Sequence, residues 1–247
     1  MLTNKTALLS SVLVTAIITG CDDIDNKSHK KHGDKKDNTE MIDKPDSTKG
    51  TAQTFEVSLT NLTFNQPLSP PVVILHDKGY SAFTEGEPAS VGLEALAEGG
   101  STSQLINEIS AYSGTISYTK GSMIQPGQSI TVNVGTDLAN PKLTVVSMLE
   151  NTNDAFTGIG SFDLSNTSMT INGPVWDSGT EVNDERASTI PGPVAGGQGF
   201  NSERVEAPNV VTFHQGVITQ AGGLADSVLN ESHRFDQPAI KITIIKK

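Results

Sequence analysis

The stretch Phe55-Glu-Val-Ser-Leu-Thr60 alternates apolar and polar side chains along its whole length. Successive side chains of a β-strand point to opposite faces of a sheet, so this period of two predicts a half-buried strand. The stretch Ile240-Lys-Ile-Thr-Ile244 repeats the pattern near the C-terminus. We therefore expect strands at both ends of the folded region.

Further short strands are predicted between these two segments, where Gly, Pro and Asn punctuate apolar runs. They fall at residues 71–75, 115–119, 129–134, 143–149, 168–171 and 210–214, and Asn172-Gly173 is typical of a tight hairpin turn. Residues 88–112 differ, because an apolar helical stretch follows Pro88, Gly99-Gly100 ends it, and a second helix is expected through Ile109. The pattern predicts a mainly β fold, an antiparallel β-sandwich with a short helical insertion.

Two stretches that we expect to be loops gather oxygen-bearing side chains: Ser147-Met-Leu-Glu-Asn-Thr-Asn-Asp-Ala-Phe-Thr-Gly158 and Val175-Trp-Asp-Ser-Gly-Thr-Glu-Val-Asn-Asp-Glu185. Ca²⁺ takes about 6–8 oxygen ligands from carboxylates, carbonyls and water. Asp154, Asp177 and Glu181 are therefore the first candidates for metal ligands. The alternative is that these loops are polar only because they connect strands at the surface.

Several motifs in these stretches occur in the order found in a known family. They are Asn153-Asp-Ala-Phe-Thr-Gly158, Ser161-Phe-Asp-Leu164, Asp177-Ser-Gly-Thr-Glu181 and Thr189-Ile-Pro191, preceded by Leu68-Ser-Pro-Pro-Val-Val-Ile-Leu-His76 and Glu87-Pro-Ala-Ser-Val-Gly-Leu-Glu-Ala-Leu-Ala-Glu98. Together they resemble the spondin N-terminal domain family, which includes domains of F-spondin and mindin and many bacterial lipoproteins. The resemblance covers about residues 53–247.

This resemblance implies a C2-like antiparallel β-sandwich. Animal members bind a divalent cation at one end of the sandwich and act in cell adhesion, which implies a calcium-binding adhesion module here. Carried over by position, the metal-binding carboxylates fall on Asp154, Asp177 and Glu181. At the last position the animal members have Asp, and Glu181 keeps the carboxylate with one more methylene.

The N-terminus has the pattern of an export signal. An apolar run from Ala7 to Ile18 follows Lys5, and Ile18-Thr-Gly-Cys21 resembles a bacterial lipobox. Residues 1–20 are then a lipoprotein signal peptide, and Cys21, the only cysteine, is the lipidated first residue of the mature protein. Residues 21–52 form a charged tether that is too polar to fold, and residues 53–247 form the spondin-like domain.

The charge balance limits the expected partners. Residues 51–247 contain 20 acidic and 9 basic side chains, which disfavours nucleic acid as a partner. We expect a lipid-anchored protein of the bacterial cell envelope that binds a protein or a glycan. Asp22-Asp23 leaves the inner membrane, the outer membrane and the cell surface as open alternatives.

Signals of catalysis are weak. The chain lacks a G-x-S-x-G elbow, an H-E-x-x-H motif, paired cysteines and a glycine-rich phosphate loop. A non-enzymatic binding module is therefore the main hypothesis. The alternatives are a metal-dependent exported hydrolase that uses His76 or His214, and a purely structural envelope protein.

Overall fold

The computed structural model of the protein describes residues 49–114, 116–164, 168–201 and 204–247. The predicted signal peptide, Cys21 and most of the predicted tether lie outside these residues. The described chain forms two antiparallel sheets, of four and six strands, that pack as a β-sandwich. This confirms the predicted mainly β fold.

The four-stranded sheet contains both ends of the described chain. Its strand order is β4-β1-β10-β7, with β1 at Lys49–Asn61, β4 at Ser129–Leu138, β7 at Ser168–Gly173 and β10 at Ile240–Lys246. The two strands that the alternating pattern predicts are direct neighbours, and their register runs from Phe55 opposite Lys246 to Asn61 opposite Ile240. Their apolar side chains therefore lie on one face of the sheet.

The six-stranded sheet has the order β3-β2-β5-β6-β8-β9. Its strands are β2 at Val72–His76, β3 at Ile116–Lys120, β5 at Lys142–Met148, β6 at Ala155–Asp163, β8 at Val175–Asp177 and β9 at Thr212–Phe213. All five residues of β2 are buried, so this strand is covered on both faces. Its side chains divide accordingly, with Val73 and Leu75 in the core between the sheets.

The helical insertion covers the outer face of the six-stranded sheet. Helix α1 spans Val91–Gly99 and α2 spans Ser103–Ala111, and their buried side chains pack with Val72, Ile74 and Phe156. The Ser90 side chain accepts a hydrogen bond from Leu93 N and caps α1, which ends where Gly100 adopts a left-handed φ of 64°. Both predicted helices are thus confirmed.

Three local predictions are wrong. Asn172-Gly173 makes no hairpin turn, because both residues belong to β7 and pair with Lys241 and Ile240 of β10. The chain instead crosses from one sheet to the other at Pro174. The two stretches predicted as loops also include the start of strand β6 and the whole of the short strand β8. The strand predicted at 210–214 is only two residues long.

Within the described residues, no helix combines the length and apolar character needed to cross a membrane.

Candidate metal centre

Strand pairing brings the two acidic stretches together. β6 and β8 are antiparallel neighbours, and Ala155 lies opposite Asp177. The loop that precedes β6 and the loop that follows β8 therefore meet at the same end of the six-stranded sheet. As a result, Ser178 and Thr180 of the second loop contact Asp154.

Asp154 is fully buried, and only one of its two carboxylate oxygens accepts hydrogen bonds from described residues. Its Oδ2 accepts hydrogen bonds from Ser178 Oγ at 2.9 Å, Thr180 N at 2.9 Å and Glu181 N at 3.2 Å. Its Oδ1 is buried with no hydrogen-bond partner among the described residues. Burial, and then the negative charge of Asp177, raise the pKa of the Asp154 carboxyl. The site thus contains a buried carboxylate oxygen to which no described residue supplies a compensating charge or donor.

Asp177 is held at the end of β8 by donors from the following loop. Its Oδ1 accepts from Gly179 N at 2.8 Å, and its Oδ2 accepts from Asn183 Nδ2 at 2.6 Å. The turn requires glycine, because Gly179 has a φ of 69° and a Cβ there would lie 2.3 Å from Val210 O. Asp177 is therefore oriented by the loop that it begins.

Glu181 is the third predicted ligand, and it is 2% exposed. Its Oε1 accepts a hydrogen bond from Asn153 Nδ2 at 3.1 Å. Burial is the main cause that raises its pKa to about 8, with further contributions from the charges of Glu98, Asp154 and Asp184. A buried carboxyl with a raised pKa is stabilised by a bound proton or by a nearby cation.

A cavity of about 270 Å³ opens beside these residues. Its lining includes Asp177, Glu181, Asn183, Pro208 and Val210. Two of the three predicted ligands therefore border a space that a small ligand can enter.

The residue types suit a hard cation, since carboxylates and amide oxygens are the ligands that Ca²⁺ prefers. Asp154 lies near both Asp177 and Glu181, as their effects on its charge and hydrogen bonding show. Within the described part of the chain, however, no group of three His, Cys, Asp or Glu side chains is arranged to hold a metal ion. The three-residue metal site thus stays a prediction, and the buried Asp154 oxygen is its most direct structural support.

Another buried carboxylate close to these residues, Glu98, was missed by the sequence analysis. It lies near the end of α1 with no exposed surface, and its charge acts on Glu181. Arg204 Nε lies 3.3 Å from Glu98 Oε2, but neither Glu98 oxygen has a hydrogen-bond partner among the described residues. No sequence signal marks this residue, because a glutamate in the last turn of a helix is normally solvated.

Both histidines of the hydrolase hypothesis are engaged in hydrogen bonds at both ring nitrogens. His76 Nδ1 lies 2.7 Å from the Asp77 carbonyl, and its Nε2 lies 2.9 Å from Thr144 Oγ1. His214 Nδ1 accepts from Gly216 N at 2.8 Å, and its Nε2 lies 3.3 Å from Asn183 Oδ1. Burial lowers the pKa of both rings. These contacts favour structural roles over proton transfer to a substrate.

A match to a family model identifies the family of this chain. No curated protein matches the chain. Residues 48–189 match the family described as Spondin_N, and the match includes Asp154, Asp177 and Glu181. Strands β9 and β10 follow the matched segment and complete the same two sheets. With more than half of its length matched, the chain belongs to the spondin N-terminal domain family.

Proposed function

We propose that this protein is a lipid-anchored, non-enzymatic binding module of the bacterial cell envelope, with a divalent cation, first of all Ca²⁺, at the end of its sandwich. Membership of the spondin N-terminal domain family suggests a binding or adhesion-type module. The engaged ring nitrogens of His76 and His214 also favour binding over catalysis.

The observation that carries the cation proposal is the buried, unpartnered Oδ1 of Asp154. A buried ionised carboxylate without a compensating charge is costly, and it either takes up a proton or binds a cation. The raised pKa values of Asp154 and Glu181 reflect this cost of burial. A bound cation would supply the positive charge that both carboxylates lack.

The residues around the site would have distinct roles. Asp154, Asp177 and Glu181 would provide the charged ligands. Gly179 keeps Asp177 at the mouth of the cavity through its backbone N–H. The exposed side chains of Val182 and Val210 lie in the same lining and would contact a bound protein or glycan.

The proposed anchor is the lipidated Cys21, and residues 22–48, which precede β1, would hold the domain away from the membrane. The sorting of this lipid anchor would decide between the inner membrane, the outer membrane and the cell surface. The acidic domain would bind cations, basic proteins or neutral glycans in preference to nucleic acid.

The test of the cation site compares thermal unfolding of the full chain in calcium and in chelator, together with metal analysis of the purified protein. A site at a hundredfold excess over its Kd stabilises by ~2.7 kcal/mol. For a domain of this size that corresponds to a rise in Tm of roughly 5–10 °C. We expect Asp154→Asn to lose this rise, since the amide has no charge for the cation.

The matched control is Asp137→Asn, since Asp137 is a half-exposed carboxylate whose one ion pair among the described residues is a 4.0 Å contact with Lys49. This variant should keep the full calcium effect. The cation site is refuted if the wild type has the same Tm with and without calcium and the purified protein contains no metal. The binding-module proposal would then rest on the family match alone.

A further inference from the structure

A second cavity lies on the helix side of the six-stranded sheet, with a volume of about 490 Å³. Its lining includes the rings of Tyr80, Phe83 and Trp176, and Lys78, Glu85 and Ser161 lie around them. We refer to this cavity as the aromatic cleft. Its volume falls within the ~300–1,000 Å³ range of small-molecule sites.

The aromatic cleft lies on the opposite face of β8 from the candidate metal centre. Val175 packs in the core between the sheets, whereas Trp176 packs with the cluster under the helices. Because side chains alternate along a strand, Asp177 lies on the same face as Val175. The aromatic cleft is therefore separate from the cation proposal.

The aromatic wall of the cleft is rigid and partly open to solvent. Trp176 stacks on Phe213 with ring centroids 4.3 Å apart and planes inclined by 19°, and Phe83 lies 5.3 Å from Trp176. Trp176 Nε1 donates to the Gly158 carbonyl at 3.3 Å, which fixes the indole. Phe213 lies beside the cleft, where it supports Trp176, and it is 51% exposed. Fixed aromatic rings at the surface lose little entropy when a ligand packs on them.

The floor of the cleft is a bulge in β6. The register between β5 and β6 shifts between Leu143 and Val145, so that Gly160 and Ser161 together face Thr144. Ser161 has a φ of 51°, which is rare for a residue with a side chain. Bulges of this kind redirect side chains, and strained residues occur most often at functional sites.

A buried hydrogen-bond chain holds this strained residue. Ser161 N donates to Thr144 Oγ1 at 2.9 Å, and Thr144 Oγ1 lies 2.9 Å from His76 Nε2. His76 Nδ1 is in turn fixed by the Asp77 carbonyl. The fold therefore maintains a strained serine at the floor of the cleft.

The chemistry of the lining indicates the class of ligand. Apolar ring surface offers a face on which the C–H side of a sugar ring can pack, and the rim offers hydroxyls together with one cation and one anion. Lys78 and Glu85 cancel in charge, which disfavours a strongly charged ligand. A protein partner needs about 800 Å² of surface on each side, more than this short cleft supplies. We propose that the aromatic cleft binds a neutral saccharide.

This inference deepens the proposed binding function by naming a ligand class, and it does so at a site that needs no cation. Trp176 is the only tryptophan of the chain, so its fluorescence reports directly on the cleft. The experiment titrates the full chain with chitotriose, cellotriose, maltotriose and a mannotriose, each in calcium and in chelator. We expect a saturable change in emission with at least one of these sugars, equal in both conditions.

The blocking variant is Gly160→Val. A Cβ at Gly160 would lie 3.3 Å from Phe83 Cζ, so the valine would occupy the cleft, and valine suits a strand backbone. The matched control is Gly135→Val, an exposed glycine of β4 whose Cβ would have only ordinary contacts, the nearest at 3.6 Å. We expect Gly160→Val to weaken sugar binding at least tenfold and Gly135→Val to leave it unchanged.

Phe213→Ala provides a second variant that removes an exposed ring and no buried side chain. It should weaken sugar binding as well, while thermal unfolding confirms that each variant is folded. The proposal is overturned if none of the sugars gives a saturable change, or if binding is the same in Gly160→Val as in the wild type. A response to extended peptides alone would overturn it too. If calcium does not raise the Tm of the wild type but a sugar still binds, only the cation site is refuted.

Discussion

Replacing Glu98 with glutamine tests how the domain accommodates a buried carboxylate. Glu98 has no exposed surface, and its ion-pair partner Arg204 is shared with Glu94 at 2.8 Å and with Glu206 at 3.2 Å. Burial is the main cause that raises the Glu98 pKa to about 7, and the nearby Thr180 hydroxyl and Arg204 offset only part of this cost. Glu98→Gln keeps the shape of the side chain and removes its ionisation.

The magnitude follows from linkage between protonation and folding. The Glu98 pKa rises from its usual 4.5 to about 7 in the folded domain, so the folded state binds more protons between these two values. Stability therefore falls as pH rises through this window, and the loss is complete above the folded pKa. The difference amounts to ~3 kcal/mol at 1.36 kcal/mol per pKa unit. Glu98→Gln should raise the free energy of unfolding by about that much at pH 8 and by less than about 1 kcal/mol at pH 5.

The assay is urea unfolding of wild type and variant at pH 5 and pH 8, in chelator so that no cation compensates the carboxylates. The comparison at each pH cancels the titration of the histidines, which is common to both proteins. Glu206→Gln is the matched control, because Glu206 contacts the same arginine but is 72% exposed. A Glu98→Gln variant that is no more stable than wild type at pH 8, or whose gain is equal at both pH values, would show that Arg204 compensates Glu98 fully.

Two further predictions concern the cation loop and the anchor. Gly179→Ala should destabilise the domain by more than ~2 kcal/mol in urea unfolding, because its φ of 69° is combined with a Cβ only 2.3 Å from Val210 O. Gly196 is the control, because it has a φ of 65° but open space around it. Gly196→Ala should therefore lower the free energy of unfolding only by the backbone strain, about 1 kcal/mol. Equal losses in both variants would contradict the role of the close contact. Cys21→Ser should move the protein from the membrane fraction to the soluble fraction and remove an acyl modification seen by mass spectrometry. An unmodified Cys21 in wild type would rule out the lipid anchor.

Much of the fold was predictable because burial on one face leaves a period in the sequence. Phe55, Val57 and Leu59 show it in β1, and Gly99-Gly100 marks the end of α1. Strands β6 and β8 were missed for a physical reason. The glycine at 158 and the polar residues near Asp177 resemble loop composition, yet pairing with neighbouring strands holds both segments extended.

The candidate site was predictable only as a set of residues. Asp154, Asp177 and Glu181 stand out because two short stretches are rich in oxygen ligands. Their burial, the donors that each receives and the unpartnered Oδ1 of Asp154 depend on the antiparallel pairing of β6 with β8. Glu98 joins them from a helix more than fifty residues away in the chain.

Side-chain period and composition are local properties, and they were sufficient to predict the β-sandwich class, the helical insertion and the two acidic stretches. Which side chains share a site, and which carboxylates lose their water, depends on contacts between segments that are distant in the chain. Charge stabilisation depends on distance and burial, and the sequence states neither. The same limit explains the aromatic cleft, where pairing of β6 with β8 brings Ser161 and Trp176 together and the loop after β2 adds Tyr80.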